Sequence, residues 1–423
     1  MKNILIAIRS IFKKGRHNVM KIVSLGIGLA VGLVLIAKVY FEQSYDDFYP
    51  DRDRVYQVWA KYQQNGGELK DYPQTSGGIA PTMQQQIPEI ETVTRYTSFG
   101  DWTFTMTDTK MKYSGRCIIA DSCFFDILPR PMLIGNAKEV LSTPMYVLIS
   151  SRIAKNIGGD VIGKNFTVDN SPGRTMTIGG VFEEVPENSH SRYDVIVSMA
   201  SAGRFMWEGS PTNMLGNDRY ISYVKLHKGV NPLALEEQVR TFVNSYFPPE
   251  EQQKVGLSID FSFHKLDNLH KELPQVKRMT WILSLLAFAL IFTAVMNYIL
   301  IVISSIVNRS KEVAVHKCYG ASENNIHGMM FGEALVHIVL SLILALLLIL
   351  AFRGTVEELL ATSLDSLLLS NGSLVLLGIC ILVFFVSGFM PGSFTPGFRW
   401  PPLSVITGRI SVSGRKPCCL SSL

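Results

Sequence analysis

The stretch Gly158–Asn165 (GGDVIGKN) comes within one residue of a phosphate-binding P-loop. In that loop a glycine, four residues and Gly-Lys precede a Ser or Thr, whose hydroxyl holds Mg²⁺. Gly158, Gly163 and Lys164 meet the spacing, but Asn165 stands where the hydroxyl is required. The motif occurs nowhere else, and DVIGKNFTVDN is typical of a turn beside a strand. Any ATP that drives this protein must therefore bind to a partner chain.

Other patterns for catalysis or metal binding are missing. The motifs G-x-S-x-G and H-E-x-x-H do not occur, and His190 is interpreted as a surface-turn residue. The six cysteines form no C-x-x-C pair, which argues against a zinc site. A disulfide between Cys117 and Cys123 stays open if that region lies outside the cytoplasm. We expect a non-enzymatic protein with no cofactor and no metal.

The composition indicates a membrane protein, because 47% of the 423 residues are hydrophobic and only 18% are charged. A helix that crosses a bilayer needs about 20 mostly apolar residues. Four stretches qualify, and they predict transmembrane helices at residues 19–41, 280–307, 329–352 and 373–390. In the first, Gly26, Gly28 and Gly32 would allow close helix packing. Lys21 and Lys38 lie near its ends, where their ammonium groups can extend to the interface.

The loop charges predict the orientation. Basic residues are concentrated before the first span, between the second and third, and after the fourth, while the loop at residues 353–372 is acidic. The positive-inside rule then places both termini, the loop at residues 308–328 and the tail at residues 391–423 in the cytoplasm. Residues 1–18 indicate either a basic amphipathic helix suited to the membrane interface or the ordinary basic charge that flanks a span on its cytoplasmic side. The large segment at residues 42–279 is expected outside.

The external segment mixes strand and helix patterns. Alternating runs predict strands at residues 54–63, 101–115, 175–185 and 220–229, and apolar periodicity predicts helices at residues 82–90 and 232–247. This mixture suggests an α+β module with small sheets. The expected fold is an α-helical membrane protein with four transmembrane helices and a large α+β extracytoplasmic domain between helices 1 and 2.

The loop at residues 308–328 carries the most informative motif. Its sequence NRSKEVAVHKCYGASENNIHG leads directly into the third span. It resembles the signature of FtsX-type permeases, R-x-x-E-[IV]-[AG]-[VI]-[RH]-K-x-x-G-A-S followed by an acidic residue in the next helix. The matching residues are Arg309, Glu312, Val313, Lys317, Gly320, Ala321, Ser322 and Glu333.

The external segment resembles a MacB-like periplasmic core domain of the kind found in Bacteroidetes-type bacteria. Four stretches carry this likeness: YDDFYPDRDRVYQV, ADSCFFDILPRPMLIG, VLISSRIAKNIGGDVIGK and GVFEEVPENSHSRYDVIVS. The resemblance runs from about residue 1 to about residue 408. It implies a multi-pass protein of the bacterial inner membrane, whose large domain lies in the periplasm.

The resemblance also implies a mechanism and partners. Such permeases pair with a separate ABC ATPase and dimerise, and ATP-driven motion passes through the membrane to the periplasmic domain, a process called mechanotransmission. The expected outcome is export or extraction of a peptide, antibiotic or lipoprotein, with a membrane-fusion protein and an outer-membrane channel as further partners and no role for nucleic acid. The residues expected to couple to the ATPase are Arg309, Glu312, Lys317, Gly320, Ala321, Ser322 and Glu333.

The sequence leaves several alternatives for the function open. The protein is either a transporter or a non-transporting signal relay that activates a periplasmic cell-wall hydrolase or sensor. Many relatives are about twice as long, and this chain resembles their first half alone. Its ending, PCCLSSL, suggests a truncated product, so a second permease half or an inactive half-permease is also an expectation.

Overall fold

The computed structural model describes residues 18–169, 171–216, 218–308, 323–368 and 378–382. The chain divides into two compact units. The helical unit combines Met1–Phe41 with Arg278–Leu423, and the core unit is Glu42–Lys277. The predicted amphipathic helix, apart from Asn18, and the predicted tail lie outside the described residues.

The secondary-structure elements are numbered here in chain order. The helices are α1 (Asn18–Gln43), α2 (Ile79–Gln86), α3 (Phe124–Ile127), α4 (Ala137–Ser142), α5 (Ser151–Ile157), α6 (Ala202–Phe205), α7 (Glu236–Tyr246), α8 (Pro249–Val255), α9 (Pro274–Asn308), α10 (Glu323–Ala351), α11 (Arg353–Leu360) and α12 (Leu364–Leu368). The strands are β1 (Val55–Gln64), β2 (Lys70–Tyr72), β3 (Ile90–Met106), β4 (Lys112–Ala120), β5 (Met132–Ile134), β6 (Tyr146–Ser150), β7 (Asn165–Val168), β8 (Ser171–Phe182), β9 (Val195–Ser198), β10 (Ile221–Leu226) and β11 (Leu257–Lys265).

Among the described residues, three helices are long and apolar enough to cross a membrane. They are α1, the stretch Pro274–Val302 of α9 and the stretch Phe331–Ala351 of α10. Each overlaps one of the first three predicted spans. The predicted fourth span at residues 373–390 lies outside the described residues except for residues 378–382, which are helical.

Helix α1 approaches its neighbours closely through its glycines. A methyl group at Gly28 would overlap the Cβ of Ala294 in α9, and one at Gly32 would overlap the side chain of Ile291. Carbon atoms that do not bond pack at about 3.5–4.0 Å, so a side chain larger than hydrogen has no room at these positions. The prediction that these glycines allow close helix packing is confirmed.

The two lysines of α1 contradict the expectation that they extend to an interface. Lys21 and Lys38 are both buried in the helical unit. Lys38 Nζ donates a hydrogen bond of 2.8 Å to Thr362 Oγ1. A buried ammonium group costs free energy unless polar atoms accept its hydrogens, and such partners explain why these lysines stay inside.

The strands of the core unit form one sheet instead of the small sheets expected from the sequence. The order is β11-β1-β10-β3-β4-β9-β6-β8-β5, with β2 paired to β1 and β7 paired to both β3 and β8. Strand β3 unites them because its residues 90–96 pair with β10, residues 96–105 with β4 and residues 104–106 with β7. Strand β7 thereby closes β3, β4, β9, β6 and β8 into a ring of six strands.

Strict alternation along the central strands supplies two separate cores. In β4, β6 and β9, successive apolar side chains point to opposite faces of the sheet. On one face, these three strands contribute Cys117, Ile119, Val147, Ile149, Val195 and Val197 to a core. The other three strands of the ring also contribute side chains to this core. The other face joins a second core, through Ile118, Ala120, Leu148 and Ile196. This explains why these strands read as continuous apolar runs.

A third core lies between the strands β1, β10 and β11 and the helices α2 and α7. Val58 and Ala60 of β1 pack there with Met83 of α2 and with Val239 and Phe242 of α7. The helix expected at residues 82–90 ends earlier, because Ile90 already belongs to β3. The helix expected at residues 232–247 is divided into a 3₁₀ turn, Pro232–Leu235, and α7.

Two further expectations are corrected. The strand expected at residues 101–115 is a hairpin, in which Lys110 has a left-handed φ of 58° between β3 and β4. Cys117 and Cys123 are free thiols, so they form no disulfide. Cys117 is buried in the core of the strand ring, whereas Cys123 Sγ donates to the Val93 carbonyl at 3.1 Å.

Candidate functional site

Most of the residues predicted to couple to the ATPase lie outside the described residues. Six of the seven fall within residues 309–322, outside the described residues: Arg309, Glu312, Lys317, Gly320, Ala321 and Ser322. The seventh, Glu333, lies in α10. Of the predicted coupling residues, Glu333 is therefore the one whose surroundings the structure describes.

Glu333 begins a polar face on an otherwise apolar helix. His337 and Ser341 follow at intervals of four residues, which places all three on one side of α10. All three are buried, with exposed fractions of 9% for Glu333, 1% for His337 and 0% for Ser341. Ser341 Oγ donates to the backbone carbonyl of His337 at 2.8 Å and to that of Ile22 in α1 at 3.1 Å.

The other two membrane-type helices add polar groups to the same unit. Tyr298 of α9 is fully buried, and its ring meets the ring of His337 edge to face at a centroid distance of 6.4 Å. Asn297 Nδ2 donates to Ser24 Oγ of α1 at 2.6 Å. Lys21 of α1 is only 2% exposed. Ionisable residues inside apolar helices are costly, so Lys21, Glu333 and His337 are candidates for a functional role.

The near-P-loop has the wrong surroundings for phosphate. A P-loop joins a strand to a following helix, whose N-terminus faces the phosphates. Here the order is reversed, because Gly158 follows the short helix α5 and Asn165 begins strand β7. Gly158 and Gly163 have φ angles of 75° and 77°, as in tight turns. The interpretation of this stretch as a turn beside a strand is confirmed.

The two ends of the core unit are joined by a network of charged side chains. Glu42 and His270 are 2.5 Å apart, and the His270 ring stacks on Tyr45. Lys271 bridges Asp47 at 3.3 Å and Asp267 at 2.9 Å. Glu42, Tyr45 and Asp47 directly follow the apolar part of α1, whereas residues 267–271 directly precede α9. The first and last segments of the core unit are therefore held together.

A second network of hydrogen bonds is centred on Asp46. Asp46, which is fully buried, accepts a hydrogen bond of 2.7 Å at Oδ2 from His190 Nδ1. The other ring nitrogen of His190 bonds the Tyr223 hydroxyl of β10. The interpretation of His190 as a surface-turn residue is wrong, since its side chain is 15% exposed and bonded at both nitrogens. Asp46 lies in the turn after an apolar helix, and nothing in the sequence pattern connects it to a histidine 144 residues later.

A polar cleft of about 420 Å³ lies on the core unit. Its charged residues largely neutralise one another: Arg152 Nη2 is 2.6 Å from Asp194 Oδ1, and Arg152 Nε is 3.4 Å from Glu184 Oε1. Within the described ranges, no group of three or more His, Cys, Asp or Glu residues is arranged to hold a metal ion. The described residues thus offer networks that connect segments of the chain instead of a catalytic arrangement.

Comparison with known proteins decides the family. The model of the MacB-like periplasmic core domain matches residues 20–242, more than half of the chain. The model of the FtsX-like permease C-terminal domain matches residues 284–397. The chain belongs to the MacB/FtsX permease family. The second match spans both the loop at residues 309–322 and Glu333.

Solved structures are similar to about half of this MacB/FtsX permease. One is a domain of a protein assigned as a permease from Porphyromonas gingivalis, with 33% identity over 51% of this chain and 91% of that one, and a TM-score of 0.47. Another is the periplasmic region of MacB from Actinobacillus actinomycetemcomitans, with 14% identity over 52% of this chain and 91% of that one, and a TM-score of 0.35. No curated protein matches the chain.

Proposed function

We propose that this protein is the non-catalytic permease subunit of an ABC transporter of the MacB/FtsX type. A separate ABC ATPase hydrolyses ATP, and the permease converts that cycle into a conformational change of the core unit by mechanotransmission. The substrate class is a peptide, antibiotic or lipoprotein, which is exported or extracted. The protein lies in the bacterial inner membrane with both termini in the cytoplasm and the core unit in the periplasm. It acts as a dimer or with a second permease half, in contact with a membrane-fusion protein and an outer-membrane channel.

One observation carries this proposal. The core unit, Glu42–Lys277, is inserted between two candidate membrane helices, α1 and α9. Helix α1 runs two residues into the core unit, to Gln43, and α9 begins within it at Pro274. Both helices thus continue in helical form past the boundary of the core unit, which supports transmission of helix movement to it.

The loop and Glu333 are given different parts in this proposal. The loop residues Arg309, Glu312 and Lys317 dock on the ATPase, and the Gly320–Ala321–Ser322 turn ends the docking segment. Glu333 is buried in the helical unit, beside the polar face of His337 and Ser341. Its carboxylate therefore belongs to the helix packing, where it would pass movement of the loop on to α1 and α9.

Co-purification tests the proposal. The full chain, tagged and expressed with the ABC ATPase encoded beside it, is solubilised from membranes, captured and assayed for ATP hydrolysis after reconstitution into liposomes. We expect capture of the ATPase and stimulation of its turnover. Glu312→Gln should lower both by about tenfold, the loss for one hydrogen bond to a charged group. Glu323→Gln, the same substitution at the start of α10, is the matched control and should leave both unchanged.

The outcomes separate the alternatives. Equal capture by wild type and Glu312→Gln would refute the docking role of the loop. Capture that needs an added second permease half would identify the chain as half of a longer transporter. ATP turnover that activates a periplasmic hydrolase or sensor, without movement of any peptide or lipoprotein, would replace transport with the signal relay.

A further inference from the structure

The segment that follows α1 makes a sharp turn around a buried charge. Asp46 has a φ of +60°, in the left-handed region that residues other than glycine seldom occupy. Aspartate tolerates this conformation better than most residues, because its short side chain bonds nearby backbone. Its side chain is fully buried. A buried carboxylate is costly unless hydrogen bonds surround it, so its partners must be identified.

Those partners come from one distant loop, at residues 188–190. Asp46 Oδ1 accepts from Ser189 Oγ and from the His190 backbone N–H, both at 3.2 Å. The Asp46 N–H donates to the Asn188 carbonyl at 2.9 Å. Asn188 Nδ2 donates back to the Ser44 carbonyl at 2.7 Å. The turn after α1 is therefore bonded to this loop through both backbone and side chains.

His190 extends the connection into the sheet. A carboxylate only accepts, so His190 Nδ1 carries the proton that it shares with Asp46, and Nε2 faces the Tyr223 hydroxyl. Tyr223 is fully buried in β10, which lies between β1 and β3. Its ring stacks on Tyr96 of β3 at 6.3 Å. Asp46, His190 and Tyr223 thus form a continuous, largely buried path from the turn after α1 to β10 of the sheet.

Apart from the buried pair Glu42–His270, the network between the ends of the core unit is more exposed. The pairs of Lys271 with Asp47 and of Arg52 with Asp267 are partly exposed, at 3.3 and 3.5 Å. Exposed ion pairs are screened by solvent and contribute little rigidity. The path from Asp46 is largely buried and each polar atom named has a hydrogen-bond partner, and such networks rigidify what they join.

We propose that Asp46, His190 and Tyr223 are positioning residues that fix the turn after α1 to the sheet of the core unit, so that displacement of α1 reaches the sheet undiminished. The part that concerns ATP-driven motion rests on the proposed function. The part that concerns attachment of the turn stands on the contacts of the core unit alone.

The test uses the full chain in detergent and with its ATPase in liposomes. Asp46→Asn keeps the shape of the side chain but removes the charge. We expect hydrogen exchange of the amides at residues 42–50 to accelerate by about tenfold to a hundredfold, the range for losing a hydrogen bond to a charged group. Protection of β4 and β9 should stay unchanged. Stimulated ATP turnover should fall by a similar factor, and Tyr223→Phe should give a smaller loss.

Two controls separate positioning from folding. Asp169→Asn makes the same substitution in an exposed ion pair with Lys112 and should leave stimulation unchanged. A disulfide from Ser44→Cys and Asn188→Cys, at positions whose Oγ and Nδ2 atoms are 3.2 Å apart, should restore stimulation to Asp46→Asn, and reduction should remove it again.

Each outcome tests a different part of the proposal. Unchanged exchange at residues 42–50 in Asp46→Asn would overturn the attachment, whatever the ATPase does. Accelerated exchange with wild-type stimulation would overturn the transmission. A disulfide that abolishes stimulation in the otherwise wild-type chain would also overturn it, because the turn would then have to detach. If the wild-type chain captures no ATPase, the proposed function fails and the exchange arm still decides the attachment.

Discussion

Substitution of Gly28 by alanine tests the packing of the membrane-type helices most directly. A methyl group there would overlap the Cβ of Ala294, which has no rotamers and cannot move aside. Helices α1 and α9 must then separate by about 1 Å, and a gap of that size forfeits about a quarter to a half of each dispersion contact. Overpacking of this kind costs about 1–3 kcal/mol. The better helix propensity of alanine returns about 1 kcal/mol, so a net loss of up to about 2 kcal/mol is expected.

Two other glycines give the matched series. Gly354→Ala in α11 meets no atom within 4 Å and should be neutral or slightly stabilising. Gly26→Ala meets Leu344 Cδ2 at 2.9 Å, the far end of a flexible side chain, and should cost less than Gly28→Ala. Denaturant titration of the purified chain in detergent, followed by tryptophan fluorescence and far-UV circular dichroism, ranks the three. If Gly28→Ala proves as stable as Gly354→Ala, the close contact between α1 and α9 at Gly28 is refuted.

Two further predictions concern titratable groups of the core unit. Burial lowers the pKa of His264 below its usual 6.5, so the folded state favours the neutral ring. The stability that this shift contributes is fully present above pH 6.5 and is lost as the pH falls through the lowered pKa. The wild-type melting temperature should therefore drop more than that of His264→Gln between pH 7.5 and pH 5, and parallel curves would contradict it. Burial also raises the pKa of the Cys117 thiol, so maleimide should label it only after unfolding, whereas label on the native Cys117 at the rate of Cys123 would contradict its place in the core.

Local patterns predicted the parts of the fold that depend on neighbours in sequence. Three apolar stretches are long helices, and the glycines of α1 lie at close contacts with α9 and α10. The turn at Gly158 and Gly163 followed from glycine spacing and the missing hydroxyl. Helix α7 was found because its apolar residues recur at helical intervals and meet one core. In each case the information lies within a dozen residues.

The predictions were wrong where contacts between segments distant in sequence determine the structure. The hairpin between β3 and β4 was taken for one strand, because both arms alternate and the turn at Lys110 has no glycine. The single sheet depends on β3, which pairs with three other strands along its length. His190 looked like a turn residue because its partners, Asp46 and Tyr223, lie far away in the chain.

Three buried charges are difficult to explain by folding alone. Replacement of buried ionic groups by well-packed apolar residues is often neutral or stabilising, so stability alone does not require charge at Lys21, Glu333 and Asp46. Residues that break the local rules and still fit the structure are expected where function requires them. Lys21 and Glu333 lie in the helices beside the coupling loop or the N-terminus, and Asp46 lies where α1 enters the core unit. Under the proposed function, transmission of ATPase-driven movement to the core unit would give these buried charges a role that packing alone does not give them.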